Sequence, residues 1–172
     1  MDDALKLVAD LMALSARTAP KGAGKDFVVT EVITGEKLKA LAEEMNRYGV
    51  ETGKVNFDRD GRGVEVSGAL LLVGLKGAKS VGLNCGACGY PRCADLPSIH
   101  DGPEFAGPMC VWRLLDLGIA LGSAVKTASI HNVDNRIMYR VGVLARKMGL
   151  IDADVAAGVP LTATGKSPFF DR

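Results

Sequence analysis

Apolar residues recur at helical spacing in four stretches of the chain. These stretches predict helices at residues 3–16, 36–48, 111–129 and 134–148. The first has the clearest period, since Leu5, Val8 and Met12 fall on one helical face. Asp2 or Asp3 stands at its start as the expected capping residue. Faces of this kind pack against other elements, so the pattern predicts helices that cover a core.

Polar residues and glycines mark the expected ends of these helices. Thr34 is the expected N-cap of the second helix, and Gly49 is expected to end it. Asp134 is the expected N-cap of the fourth helix, and Gly149 is expected to end that one. Each boundary therefore follows from a residue whose side chain or backbone favours a helix terminus.

Short runs of β-branched and aliphatic residues predict the strands. Strands are expected at 26–33 and 154–162, with a weak one at Val64–Val66 inside a loop over 53–68. The run at 69–75 is apolar throughout, which is typical of a strand buried on both faces. Helices and strands do not alternate regularly. The pattern therefore predicts an α+β fold, a small mixed or antiparallel sheet flanked by helices.

Length, composition and charge narrow the class of protein. The 172 residues are 48% hydrophobic and 24% charged, which predicts one globular domain over 1–172. A net charge of +1 argues against binding nucleic acid by phosphate neutralisation. No apolar run reaches the length of about 18 residues that membrane insertion requires. The acidic start of the chain does not resemble a signal peptide, so we expect a reducing, cytoplasmic setting.

All four cysteines lie in one loop-dominated segment, residues 84–110. Their spacing is Cys85-x2-Cys88-x4-Cys93-x16-Cys110. Four thiolates are the usual ligands of a [4Fe–4S] cluster and also of structural zinc. Structural zinc sites more often use two C-x2-C pairs, whereas this chain has one such pair. The spacing therefore favours the iron–sulfur cluster, with zinc or free redox-sensing thiols as the alternatives.

The run NCGACGYPRC at 84–93, followed by the distant Cys110, resembles a known iron–sulfur module. Four-cysteine [4Fe–4S] modules of this pattern occur in membrane ferredoxin oxidoreductase subunits and in corrinoid iron–sulfur proteins. The resemblance implies that all four cysteines are cluster ligands. Trp112 and Tyr90 stand close to these ligands in the chain, where aromatic rings would shield a cluster from water.

The two ends of the chain carry a second resemblance. The run LSARTAPK at 14–21 resembles the opening of nitroreductase-family flavoproteins, where such a stretch holds the phosphate and ribityl chain of FMN. That family supplies another basic residue from its C-terminal region. The resemblance implies an FMN site formed by Ser15, Arg17 and Lys166. Without a ligand, Arg17 would instead complement the helix macrodipole, and Lys166 would belong to a solvated tail.

Longer stretches resemble a prokaryotic family of ferredoxin-domain proteins. The matching runs lie at 15–22, 84–93, 131–142 and 160–172. The resemblance implies an iron–sulfur domain on a nitroreductase-like scaffold. It predicts electron transfer through a [4Fe–4S] cluster, coupled to FMN if the protein is an oxidoreductase, with a redox protein or a small-molecule acceptor as partner. A zinc-stabilised, non-enzymatic interaction module and a cluster-based redox sensor are the alternatives.

Small residues in the third predicted helix suggest self-association. Gly118, Gly122 and Ala124 would allow another helix to approach closely. We therefore expect a homodimer. Phe169 and Phe170 would be exposed near the C-terminus of a monomer, so we expect them to pack on the core or on a partner chain.

Overall fold

The chain folds into helices and short strands, as its mixed pattern predicts. A computed structural model describes residues 1–170, so the last two positions of the 160–172 run lie outside the described residues. The described strands are β1 (Val28–Ile33), β2 (Ala69–Leu75), β3 (His100–Asp101), β4 (Ala106–Gly107), β5 (Asp134–Asn135) and β6 (Val155–Thr162). The described helices are α1 (Asp2–Thr18), α2 (Glu36–Thr52), α3 (Phe57–Glu65), α4 (Val111–Ile130) and α5 (Tyr139–Lys147).

An antiparallel sheet in the order β1–β2–β6–β5 separates two apolar cores. Strand β2 lies inside the sheet, and each of its residues is buried. Leu71 and Val73 pack on one face with α1 and α4, whereas Leu70 and Leu72 pack on the other with α2, α3 and α5. Alternate side chains of a strand point to opposite faces, so one apolar run serves both cores. The predicted α+β class, with an antiparallel sheet flanked by helices, is confirmed.

Two glycines bring α5 against β6. A Cβ atom on Gly142 would lie 2.0 Å from the carbonyl oxygen of Ala156, and one on Gly158 would lie 2.2 Å from Cγ1 of Val141. Both distances are far below van der Waals contact. The close packing of this helix on this strand therefore requires glycine at both positions.

The ends of α2 differ from the predicted ones. The helix begins after Gly35 rather than after a Thr34 cap, and it continues through Gly49 to Thr52. Gly53 follows in the left-handed conformation, with φ 67°, and ends the helix. A Cβ atom at Gly49 would lie 3.0 Å from Cβ of Phe57. This glycine therefore permits close packing where α2 meets α3, and its predicted role as a helix end is wrong.

The ends of α1 and α5 give a mixed result. Met1 precedes α1, and Asp2 and Asp3 both lie within its first turn, so the predicted capping by these aspartates is wrong. Gly149, with φ 68°, lies just beyond α5 and confirms the predicted end of that helix.

Helix α3 replaces the predicted loop and weak strand at 53–68. Phe57 and Val64 are buried, so this short helix contributes two side chains to the core beneath α2. Asp60 is buried too, and it pairs with Arg59 at 2.7 Å and with Arg140 at 3.1 Å. The local alternation of glycine and charged residues does not predict this helix. Its stabilising partners come from distant parts of the chain.

The fourth predicted helix begins five residues late. Asp134 and Asn135 pair with Thr162 and Leu161 as a short edge strand, and α5 starts only at Tyr139. Asp134 is therefore not an N-cap. Because β6 leaves an edge available for pairing, these two polar residues extend the sheet instead of starting a helix.

Of the two terminal aromatic residues, Phe169 is buried and Phe170 is exposed. A Cβ atom on Gly63 would lie 3.4 Å from the Phe169 ring, which places this ring against α3. Arg136 donates a hydrogen bond of 2.6 Å to the Phe169 carbonyl and lies over the Phe170 ring. The expected packing of Phe169 on the core is confirmed.

Candidate metal centre and neighbouring groove

The cysteine segment connects the end of β2 with the start of α4. It leaves the sheet after Leu75, contains the short β3–β4 pair, and returns at Cys110, the residue that precedes α4. Apart from that pair and a single 3-10 turn at Cys93–Asp95, the path is irregular. All four cysteines are therefore placed by one long excursion that both begins and ends on the core.

The four cysteines line a single small cavity. Cys85 is exposed, Cys88 and Cys93 are half-buried, and Cys110 is buried. Side chains of Leu83, Tyr90, Leu96 and Trp112 complete much of the lining. The fold thus brings together thiols that lie up to 25 positions apart in the chain. Within residues 1–170, no group of three or more Cys, His, Asp or Glu side chains is arranged to hold a single metal ion.

Two glycines turn the backbone between the ligands. Gly86 and Gly89 have φ angles of 73° and 88°, and the Gly89 N–H donates 2.9 Å to the Gly86 carbonyl. Side chains rarely tolerate these angles, whereas glycine adopts them without a steric penalty. These turns follow Cys85 and Cys88 directly, and both of those thiols border the cavity.

Hydrogen bonds hold two of the sulfur atoms. The Trp112 indole N–H donates to Cys85 Sγ at 3.2 Å, and the Asn84 backbone N–H donates to Cys93 Sγ at 3.3 Å. Asn84 Oδ1 in turn accepts from the Cys93 N–H at 2.8 Å. The backbone N–H of Ala87 and then the Trp112 indole lower the pKa of Cys85 below its ordinary value. Both donors favour the thiolate, the form that binds metals.

A buried ion pair anchors the start of α4 to the segment that leads to the cysteines. Arg113 and Asp116 are 2.9 Å apart and both buried. Arg113 also donates to the carbonyls of Lys79 and Gly22, each at 2.8 Å, and Asp116 accepts from the Gly22 N–H at 2.7 Å. We did not predict this pair. Its signal is an Arg-x-x-Asp spacing within an otherwise apolar helix.

A second cavity of about 540 Å³ adjoins the first. We call it the apolar groove; it lies between the turn at 20–23 and one face of α4. Its apolar lining is formed mainly by Pro20, Val81, Leu83, Trp112, Leu115 and Ile119. Val81, Leu83 and Trp112 border both cavities. The Trp112 indole therefore lies between the cysteines and the groove.

The residues predicted to bind FMN already have partners within the protein. Ser15 Oγ is 2.6 Å from the Thr127 hydroxyl and donates to the Leu11 carbonyl at 2.9 Å. Arg17 donates to Asp26 at 2.7 Å and to the Val28 carbonyl at 2.6 Å. These contacts resemble a helix end tied to β1 rather than an open phosphate site.

Lys166 follows the opposite end of the sheet. It comes after Thr162, where β6 lies beside Ala69, whereas Arg17 lies beside Val28, which pairs with Leu75. The length of β2 separates these two ends, roughly 20 Å at about 3.3 Å per residue. Helix α1, which carries Arg17, and strand β6, which precedes Lys166, thus end near opposite ends of β2.

None of the described helices is both long and apolar enough to span a lipid bilayer.

Solved nitroreductases have a similar fold. The FMN-dependent nitroreductase NfnB from Mycobacterium smegmatis, determined in complex with NADPH, aligns with a TM-score of 0.62 at 9% identity, over 95% of this chain and 80% of that one. Nitroreductase A from Vibrio parahaemolyticus aligns with a TM-score of 0.57 at 13% identity, over 94% and 60%. Likeness at such low identity concerns the fold, and it confirms the predicted nitroreductase-like scaffold.

Sequence comparison identifies the family. Residues 106–172 match the family model described as "uncharacterized protein containing a ferredoxin domain (DUF2148)". An uncharacterized protein of Archaeoglobus fulgidus is 48% identical over 172 residues, which cover 99% of this chain and 93% of that protein. The chain therefore belongs to this family of ferredoxin-domain proteins.

Proposed function

We propose that this protein is a one-electron redox protein whose Cys85, Cys88, Cys93 and Cys110 hold a [4Fe–4S] cluster. The observation that carries the proposal is that all four cysteines line one cavity. The ferredoxin-domain family and the nitroreductase-like fold both support a redox role. When bound, such a cluster supplies reversible one-electron chemistry.

The number and spacing of the cysteines favour a cluster over zinc. In a tetrahedral zinc site, Zn–S bonds of about 2.3 Å bring every two sulfur atoms to about 3.8 Å. The described residues form no such single-ion group, although the four cysteines border the same space. A cubane binds one thiolate at each of four corners, so it requires a wider set of ligands. The four cysteines that border the cavity would supply one thiolate for each corner.

The protein's own residues prepare this site for electron exchange. Buried Cys110 attaches the cavity to α4, while exposed Cys85 places the side that it lines near solvent. Trp112, with 41% of its surface exposed, borders the cavity at the same side. We infer that a redox protein or a small-molecule acceptor exchanges electrons across this face.

The residues predicted for FMN do not fit a phosphate site within one chain. Arg17 is neutralised by Asp26, Ser15 is engaged by Thr127, and Lys166 follows the far end of the sheet. We therefore derive no step through a flavin. The flavin site formed by these residues stays a prediction.

Anaerobic purification tests the cluster directly. We expect a brown protein with broad absorbance at about 400 nm. It should contain about four iron and four sulfide ions per chain. Reduction with dithionite should bleach the absorbance and produce a one-electron EPR signal, and reoxidation should restore the original spectrum. A colourless protein with about one zinc per chain would instead support the interaction module. Loss of circular dichroism when the cluster is removed would favour the sensor.

We also propose that two copies associate through α4. Leu115 and Ile119 are exposed on this helix, and Cβ atoms at Gly118 and Gly122 would meet no atom within 4 Å. Ala124 cannot contribute, because it is buried against the core. An open apolar face with small residues suits the close approach of a second helix.

Light scattering tests the association. We expect the wild type to have twice the chain mass of 18.0 kDa. Ile119→Asp should lower this mass to that of a single chain, because a charge would then lie on the apolar face. The matched control is Val50→Asp, at an 86% exposed position on α2, across the sheet from α4. Dimers that survive Ile119→Asp, or a monomeric wild type, would contradict the proposal.

A further inference from the structure

We propose that the Trp112 indole N–H positions the Cys85 thiolate and raises the reduction potential of the cluster. This inference rests on the proposed function. Its basis is the 3.2 Å contact from Trp112 Nε1 to Cys85 Sγ. Trp112 is thus a positioning residue, which acts on the redox centre through one of the cluster ligands.

The start of α4 holds this donor in place. Trp112 lies two residues after Cys110, so one helical turn carries both a ligand and the donor to another ligand. The next residue, Arg113, is fully buried and donates to the carbonyls of Lys79 and Gly22. The helix backbone next to the indole is therefore anchored to two other segments, one at Lys79 and one at Gly22. A fixed donor loses little entropy when it binds its acceptor.

The effect on the potential follows from charge. Reduction adds one electron to the site without transferring a proton or any other atom. The reduced state therefore carries one more negative charge. An N–H donor directed at a ligand sulfur stabilises the more negative state more strongly. The indole proton stays on Trp112 in both states. The bond therefore shifts the equilibrium toward reduction.

Other residues around the cavity provide the comparison. The Asn84 N–H bond to Cys93 Sγ comes from the backbone, so no side-chain substitution removes it. The Tyr90 ring lines the same cavity, but among residues 1–170 its hydroxyl donates no hydrogen bond to a cysteine. Tyr90→Phe is therefore the matched control for the loss of an aromatic polar group.

The test is an EPR-monitored redox titration of the cluster-loaded protein. Trp112→Phe should lower the potential so that, at a fixed applied potential, the ratio of reduced to oxidised cluster falls up to about tenfold, which is about 59 mV for one electron. Tyr90→Phe should leave the potential unchanged. If the Trp112→Phe variant does not assemble the cluster, 3-benzothienylalanine at position 112 keeps the bicyclic shape of the side chain without its N–H. It should show the same lowered potential.

Fluorescence gives a second measurement, because Trp112 is the only tryptophan of the chain. Its emission should be quenched strongly when the cluster is assembled in the wild type and remain quenched in the Tyr90→Phe control. An unchanged potential in both position-112 variants would overturn the inference while leaving the cluster proposal intact. A wild type without iron and sulfide would overturn both proposals.

Discussion

Cys110→Ser should abolish assembly of the four-iron cluster. The iron content should fall clearly below the wild-type value of about four atoms per chain, and the reduced protein should lose its cubane EPR signal. A serine hydroxyl is a harder and much more basic ligand than a thiolate, so it replaces the thiolate poorly at iron–sulfur centres. Metal analysis and EPR of anaerobic preparations measure both effects.

Position 110 separates loss of a ligand from loss of the fold. Cys110 precedes the first residue of α4, and serine is among the preferred residues at such a position. Circular dichroism of the metal-free variant should therefore match that of the metal-free wild type. A Cys110→Ser protein that retains the complete iron content and the unchanged EPR signal would remove Cys110 from the set of ligands.

Arg113→Met should destabilise the protein by about 3–5 kcal/mol. The substitution leaves the carboxylate of Asp116, which is 5% exposed, without its ion-pair partner. It also removes the two hydrogen bonds to the carbonyls of Lys79 and Gly22. For a chain of this size, the loss corresponds to a fall in Tm of about 6–20 °C. Thermal unfolding followed by circular dichroism measures it.

An exposed pair of the same spacing is the control. Arg92 and Asp95 are also three residues apart, 2.8 Å from each other, with 73% of the arginine side chain exposed. Arg92→Met should cost at most about 1 kcal/mol, because solvent screens exposed ion pairs. The double variant Arg113→Met, Asp116→Leu should recover part of the stability, since no unpaired charge is buried. Equal costs at Arg113 and Arg92 would show that burial of the pair is unimportant.

The parts of the fold predicted well are those in which a local pattern has one physical solution. The apolar run at 69–75 forms β2 with the predicted bounds, because a run of this length is typical of a strand enclosed on both faces and short for a helix. The strand predicted at 154–162 forms at Val155–Thr162 for a similar reason. The spacing of four cysteines in a glycine-rich loop predicted one shared site, and the cavity contains all four.

The parts predicted poorly depend on partners far away in the chain. Helix α3 is stabilised by the burial of Phe57 beneath α2 and by the pairing of Asp60 with Arg140, which is 80 positions away. Asp134 joins the sheet because β6 has a free edge, although its local context favours a helix cap. Local propensity is worth only tenths of a kcal/mol per residue, so such contacts outweigh it.

By itself, the sequence determined the class of fold, the family and the four thiols of the candidate cluster. The period of the hydrophobic residues and the spacing of the cysteines can both be read along a short stretch of the chain. Only the tertiary structure decided that the Trp112 indole contacts Cys85, that a buried Arg113–Asp116 pair anchors the start of α4, and that Arg17 is already paired with Asp26. Those contacts depend on which elements the sheet brings side by side, and no local pattern encodes that choice.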